Sequence, residues 1–343
     1  MSDFNSRGFP YHRGRRLRSS SNLRDIVSQV KLSLDDLVMP YFIKEIKDNS
    51  EVKNMPGVLR YDENEILLQL EKLIKKGIKA VALFPKISEE NKTPEGIEAL
   101  NENNLICRTL RNIKKKIPEI LVFCDVALDP YTSTGHDGII NKKGEIDNDI
   151  TIDTLSKMSV LLANNGCDIV SPSDMMDGRI KVIRSELEKS KNINTCIMSY
   201  SAKFASSFYS PFRDALGNLK NLGKTDKKTY QIDFRNQNEA IKESLEDIYE
   251  GADIIMVKPA IYYLDIVNIL KEKCLIPIAA YQVSGEYSMI KIAAEKNIPK
   301  MSFILEKVAL DKSLMQMDGI HPNSKAQPFI AKQVEIEIKK IIQ

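Results

Sequence analysis

Short apolar runs alternate with amphipathic stretches along most of this chain, and that alternation restricts it to a parallel α/β architecture. Seven runs read as strands: residues 37–42, 80–85, 120–128, 168–173, 194–201, 252–259 and 276–284. Most are rich in Val, Ile or Leu without polar alternation, as strands buried on both faces must be. Helical periodicity fills segments between them. Residues 62–76 stop at Gly77, 153–165 precede Gly166, and 237–250 precede Gly251. Helix, glycine, strand, repeated, is the pattern of βα units.

Seven such strands predict a TIM-type (β/α)8 barrel whose eighth strand is missing or replaced. An open doubly wound sheet is the alternative, but neither GxGxxG nor GxxxxGK[ST] follows a strand. The barrel is favoured by where reactive residues fall. Asp125, Ser173, Lys203, Lys258 and Ser284 all stand at the C-terminal ends of apolar runs, and in a barrel those ends share one mouth.

Composition narrows the class further. The chain has 343 residues, 43% of them hydrophobic, with a net charge of +3, so no nucleic-acid partner and no disorder is indicated. Basic residues cluster only in Arg13, Arg15, Arg16 and Arg18, within a polar arm spanning residues 1–20. That arm could meet nucleic acid, or equally pack on a partner subunit. Five scattered cysteines without a CxxC pair read as reduced thiols. The start lacks an apolar signal core, and no apolar run is long enough to cross a membrane. A cytoplasmic protein with no membrane partner is expected.

Lys203 and Lys258 carry the chemistry. An ammonium at the end of a buried strand is costly to desolvate, and burial or a second ammonium nearby lowers its pKa. A neutral amine can then attack a carbonyl and form a Schiff base. Either lysine alone could simply snorkel to solvent. Two of them on separate strands favour Schiff-base chemistry.

Longer segments around these lysines carry a specific likeness. SYSAKFASSFYSPFRDA (199–215) holds Lys203 and GADIIMVKPA (251–260) holds Lys258. With DVALDPYTSTGHDG (125–138), SPSDMMDGR (171–179), AYQVSGEYSMI (280–290) and RGRRLR (13–18), they make residues 10–295 resemble the porphobilinogen synthases, or 5-aminolevulinate dehydratases. The resemblance implies asymmetric condensation of two 5-aminolevulinate molecules, with loss of two waters, in heme biosynthesis. Lys258 would hold the substrate that supplies the propionate side and Lys203 the one that supplies the acetate side. Arg213, Lys227 and Gln231 would bind a substrate carboxylate from a lid rich in Gly, Asn and Lys, although composition alone reads residues 217–228 as a solvated loop. Ser284 would bind the other carboxylate. Tyr209, Phe212 and Tyr281 would line the pocket, or serve as core aromatics. Asp125 would orient groups near the lysines.

The same resemblance bears on metals and assembly. Ala127, Asp129 and Asp137 stand where zinc-dependent members carry cysteines, so no catalytic zinc is expected. A non-catalytic magnesium would sit at Glu239, with Asp177 reaching it through water. The plainer role for Glu239 is a first-turn carboxylate favoured by the helix dipole. The family commonly forms a homo-octamer in which the arm wraps a neighbour.

The ending departs from that pattern. Residues 298–333 resemble the C-terminal end of SGNH-type esterases, with Asp318 and His321 in DGIHPN at that family's Asp and His positions. The GDS nucleophile block is absent, so a Ser-His-Asp hydrolase is not expected. The organisation read from sequence is an arm at 1–20, an incomplete barrel at 21–297 and an esterase-like tail at 298–343, as in a fused or rearranged gene. Residues 301–308 are a candidate substitute strand, covered by a helix at 326–342. Two other readings remain at this point: a single-lysine aldolase, and an inactive barrel that only joins assemblies.

Overall fold

The structure is a computed structural model that describes residues 12–52, 55, 57–209, 215–216 and 226–295. Its sheet has eight parallel strands: β1 (Val38–Ile43), β2 (Arg60–Tyr61), β3 (Ala80–Pro85), β4 (Leu121–Val126), β5 (Ile169–Pro172), β6 (Cys196–Lys203), β7 (Ile254–Lys258) and β8 (Ile278–Ala280). Their order is β2-β1-β3-β4-β5-β6-β7-β8. The helices are α1 (Ser21–Ile26), α2 (Glu63–Lys75), α3 (Leu105–Lys116), α4 (Asn148–Asn164), α5 (Arg179–Lys189), α6 (Gln237–Glu250), α7 (Leu264–Lys273) and α8 (Ser284–Glu295).

The expected lack of an eighth strand is corrected. Arg60–Tyr61 pairs in parallel with Phe42–Ile43, so the first strand is not an open edge there. Two residues, one of them charged, make no apolar run, and periodicity cannot detect such a strand. The proposed substitute strand at 301–308, its covering helix, Asp318 and His321 all lie outside the described residues.

The sheet curls. β3 and β8 are five strands apart, so in a flat sheet they would stand about 24 Å apart, at roughly 4.8 Å per strand. Tyr281, the residue after β8, nevertheless has its ring centroid 6.5 Å from that of Phe84 in β3. Alternate residues fill the enclosed side: Phe123, Ile169, Met198, Tyr200 and Met256, with Ala80, Ala82 and Ala279 packed against them. Their neighbours Val81, Leu83, Val122, Val170, Ile197, Ile255 and Val257 point outward, into the main core shared with Leu70, Leu110, Leu162, Ile183 and Leu270 of the helices. From β3 to β7 both faces are largely buried, which explains the unbroken apolar runs there, whereas Val38, Met39 and Pro40 of β1 are exposed and β8 is half-buried.

Local signals set the helix ends. Asp62 accepts from the backbone of Asn64 and Glu65 while Glu65 reaches back to the Asp62 N–H, a capping box that starts α2. α4 begins earlier than its apolar period suggests, because the Asp147 carboxylate caps Ile150. Gly251 ends α6 at φ +111°, and a Cβ there would meet Arg184 Cγ at 3.1 Å. No helix among the described residues is long and apolar enough to cross a membrane.

The two ends of β6 differ in phase. Met198 pairs with Ile254 and Ser199 with Ile255, but Ala202 pairs with Val257 and Lys203 with Lys258. One extra residue is therefore accommodated between Ser199 and Ala202 as a bulge. Met198 and Tyr200 face the enclosed side, and strict alternation would put Ala202 there too. Ala202 packs instead in the outer core, so the bulge turns Lys203 to the enclosed side.

Gly251→Ala is expected to destabilise the fold by about 1–2 kcal/mol, because a Cβ is strained at positive φ. Thermal unfolding compared with the unaltered chain measures it.

Candidate active site

The register of β6 and β7 makes Lys203 and Lys258 direct neighbours at the C-terminal ends of adjacent strands. Both are buried, 6% and 5% exposed. Two amines stand together where little water reaches them. The faces of Tyr281, Tyr200 and Tyr209 surround the Lys258 ammonium at 4.1, 4.9 and 5.5 Å. Burial, followed by repulsion from Lys203, lowers the Lys258 pKa to about 7 against opposing carboxylates.

Lys203 has different company. Its Nζ donates to the Ser173 carbonyl and lies 3.7 Å from Asp137 Oδ1. Burial alone would raise the Asp137 pKa, but Lys203 and Lys227 outweigh it and hold that carboxyl at about 2. Lys227 Nζ is 2.9 Å from Asp137 Oδ2 and 3.3 Å from Asp129 Oδ2, so one ammonium sits between two carboxylates. Asp125 behaves in the opposite way. Burial and the neighbouring Asp129 push its pKa to about 6, against a Ser173 hydrogen bond and the two lysines. Its Oδ1 has no hydrogen-bond partner among the described residues.

Most of the expected pocket is assembled. Lys203, Lys258, Asp125, Lys227, Gln231 and Tyr209 line one cavity of about 30 Å³, with Phe84, Asp129, Asp137 and Ser173 completing it. That is space for about two waters. Tyr281 joins through its ring over Lys258. The Tyr209 hydroxyl donates to the carbonyls of Phe204 and Lys258, so it fixes backbone as well as walling the pocket. Ser284 is buried at the start of α8, where its hydroxyl donates to the Phe208 carbonyl at 2.9 Å. It does not line the small cavity. Arg213 and Phe212 lie outside the described residues.

Glu239 and Asp177 share a different cavity of about 720 Å³, beside the first. Glu239 Oε2 accepts from Asn236 Nδ2 while its N–H donates to Asn236 Oδ1, a reciprocal cap at the start of α6. Among the described residues no three His, Cys, Asp or Glu side chains come together as a metal site.

Several participants were not singled out by sequence reasoning. Asp129 and Asp137 were noted only as positions without a zinc-binding cysteine, and nothing in their spacing shows which lysines they meet. Tyr200 looks like an ordinary strand residue. Glu286 is 0% exposed and accepts from Ile261 N–H at 2.7 Å and Val283 N–H at 2.6 Å, tying together the loops after β7 and β8.

Known proteins resemble this chain in sequence and in fold. The delta-aminolevulinic acid dehydratase family model matches residues 11–313. The corresponding enzyme of the archaeon Methanothermus sociabilis is 46% identical over 305 residues, covering 87% of this chain and 92% of its own. The chloroplastic enzyme of Hordeum vulgare is 46% identical over 304 residues, covering 88% and 69%. The porphobilinogen synthase structure from Toxoplasma gondii, in complex with its product porphobilinogen, superposes with a TM-score of 0.82 at 42% identity, covering 84% of this chain and 82% of that one. The family match runs on past residue 297, so the expectation of an esterase-derived tail from 298 is not borne out.

An amine-selective reagent is expected to modify Lys258 with a midpoint near pH 7, the value to which burial and Lys203 lower it. Below that midpoint the ammonium forms and labelling falls. Lys203→Met removes one of the two causes, so the midpoint should move to higher pH. Mass spectrometry of labelled peptides across pH reads both.

Proposed function

The chain belongs to the delta-aminolevulinic acid dehydratase family, and on that premise we propose a mechanism in which its two neighbouring lysines hold two substrate molecules at once. The reaction joins two molecules of 5-aminolevulinate into porphobilinogen with release of two waters. One observation carries the reading: Lys203 and Lys258 are register partners in a buried pocket. A single-lysine aldolase could use the second amine to lower the pKa of the first, but the family match extends over both lysine segments and supports a covalent role for each.

Lys258 is suited to attack. With a pKa near 7 it is substantially neutral at physiological pH. Its amine adds to the ketone carbon, a proton reaches the former carbonyl oxygen, and water leaves as the Schiff base forms. Asp125 lines the same cavity with a pKa near 6, a value that lets it give or take a proton in this range. Lys203 binds the second molecule in the same way. Carbon–carbon and carbon–nitrogen bond formation between the two then closes the ring and frees both amines. We assign the propionate-side substrate to Lys258 and the acetate-side one to Lys203.

The substrate carboxylates need donors. Lys227 and Gln231 reach the cavity and are assigned to one, and Ser284 to the other. A cavity of about 30 Å³ is too small for a 5-aminolevulinate molecule, so Lys227 and Gln231, which line it, shift as substrate enters. Arg213 and Phe212 are assigned by resemblance.

We propose that no zinc takes part in the chemistry. Asp129 and Asp137 already share the Lys227 ammonium, and Ala127 offers no ligand atom. Magnesium keeps several waters and needs only one or two carboxylates, which Glu239 and Asp177 beside the large cavity can supply. It is assigned no step in catalysis. A homo-oligomer, octameric by resemblance, is supported by exposed apolar residues near the start: Ile26, Val30 and Leu32 are 79%, 84% and 79% exposed. All five cysteines are free, in keeping with the reducing cytoplasm we propose as its location.

The purified chain should form the pyrrole from 5-aminolevulinate with magnesium present and zinc chelated. Lys258→Ala and Lys203→Ala should each cost on the order of a thousandfold or more, since each removes a covalent partner. Wild-type-like rates in either variant would refute the two-lysine mechanism.

A further inference from the structure

Lys203 faces the pocket only because of the bulge in β6, and the bulge has an anchor on the outer side of the sheet. The Ser199 hydroxyl, where the bulge begins, donates to Asp247 Oδ2 at 2.6 Å and accepts from Arg179 Nη2 at 3.1 Å. Arg179 clasps Asp247 of α6 through both terminal nitrogens, at 3.2 and 3.4 Å. All three side chains are buried, with Ser199 at 0%, Arg179 at 2% and Asp247 at 3% exposure.

Arg179 also reaches the loop after β5, whose Ser173 carbonyl accepts from Lys203 Nζ. Its Nη1 donates to the Met176 carbonyl at 3.2 Å, and its Nε faces Asp174 Oδ2 at 3.6 Å. Neither Nε nor that oxygen has a hydrogen-bond partner among the described residues. Between them in sequence, Met175 is held at φ +70°. A non-glycine residue keeps such a conformation only where its surroundings impose it. A fully buried guanidinium with its own charge partners is costly to keep merely for stability, since apolar replacements of such groups are often as stable.

We propose that Arg179 is a positioning residue for Lys203: through Ser199 and Asp247 it fixes the bulge that turns the lysine inward, and through the 173–176 loop it fixes the carbonyl that receives the amine. Lys258 extends from a regular strand, receives no hydrogen bond from this network and meets it only through the charge of Lys203. The inference rests on the two-lysine reading given above. It predicts an asymmetry, because a misplacement of about 1 Å at a reacting group can cost on the order of a hundredfold in rate.

The test compares turnover with the Schiff base at Lys258, trapped by borohydride in the presence of 5-aminolevulinate and quantified by peptide mass spectrometry. Ser199→Ala and Arg179→Lys should lose roughly tenfold to a hundredfold in kcat, while trapping at Lys258, done at a pH well above that lysine's midpoint so that its amine is neutral in every variant, stays within about twofold of the unaltered chain. Ser199→Thr keeps the hydroxyl and should retain most of the rate. Ser199→Ala removes only one oxygen, so it carries the test if Arg179→Lys does not fold. Unchanged turnover in Ser199→Ala, or turnover and Lys258 trapping falling in parallel, overturns the positioning role. If the unaltered chain neither turns over nor traps at Lys258, the two-lysine reading itself fails, and this inference with it.

Discussion

A single inserted residue in β6 governs the rest of the site. Parallel strands alternate faces with a strict period of two, so a phase slip of one residue exchanges inside and outside. Between Ser199 and Ala202 the chain makes that slip, and Lys203 becomes the lateral partner of Lys258. A regular strand would send Lys203 outward among the helices and leave Lys258 beside Ala202. Barrel geometry alone brings strand ends to a common mouth; the bulge decides which side chains appear there.

Placing two amines side by side in a buried pocket creates the electrostatic problem that the surrounding residues resolve. The two lysines are treated differently. Lys258 is enclosed by tyrosine faces, and its charged form is disfavoured by burial and by Lys203. Lys203 has an anionic neighbour in Asp137, which also holds Lys227. The carboxylates divide in the same manner. Asp137 sits between two ammonium groups and stays ionised, whereas Asp125, beside Asp129 and deeply buried, is drawn toward neutrality. Opposite shifts in neighbouring titratable groups are the usual mark of an acid–base site.

Much of this was legible in the chain before folding. Strands buried on both faces leave unbroken apolar runs, which locate β3 to β7 in the sequence; β1 and β8 are apolar runs too, although partly exposed. Lys203 and Lys258 stood out because a charge at the end of such a run is anomalous. What escaped has physical causes. Arg60–Tyr61 is too short to form a pattern, and its pairing with β1 depends on where the chain returns. The bulge leaves no trace in SYSAK, whose small residues suit either phase. The ion pairs of Asp129 and Asp137 with Lys203 and Lys227 join residues 66 to 98 positions apart, beyond the reach of any local rule. Arg179 lay within a recognisable segment, yet its partners on β6 and α6 appear only in three dimensions.

A crystal structure of the chain reduced with borohydride in the presence of 5-aminolevulinate tests the central claim most directly. The account predicts that β6 carries its bulge between Ser199 and Ala202, that Lys203 and Lys258 both point into one cavity, and that a covalent adduct extends from Lys258 Nζ toward Lys203. A regular β6 with Lys203 turned toward the helices, or an adduct on a lysine elsewhere, would contradict it.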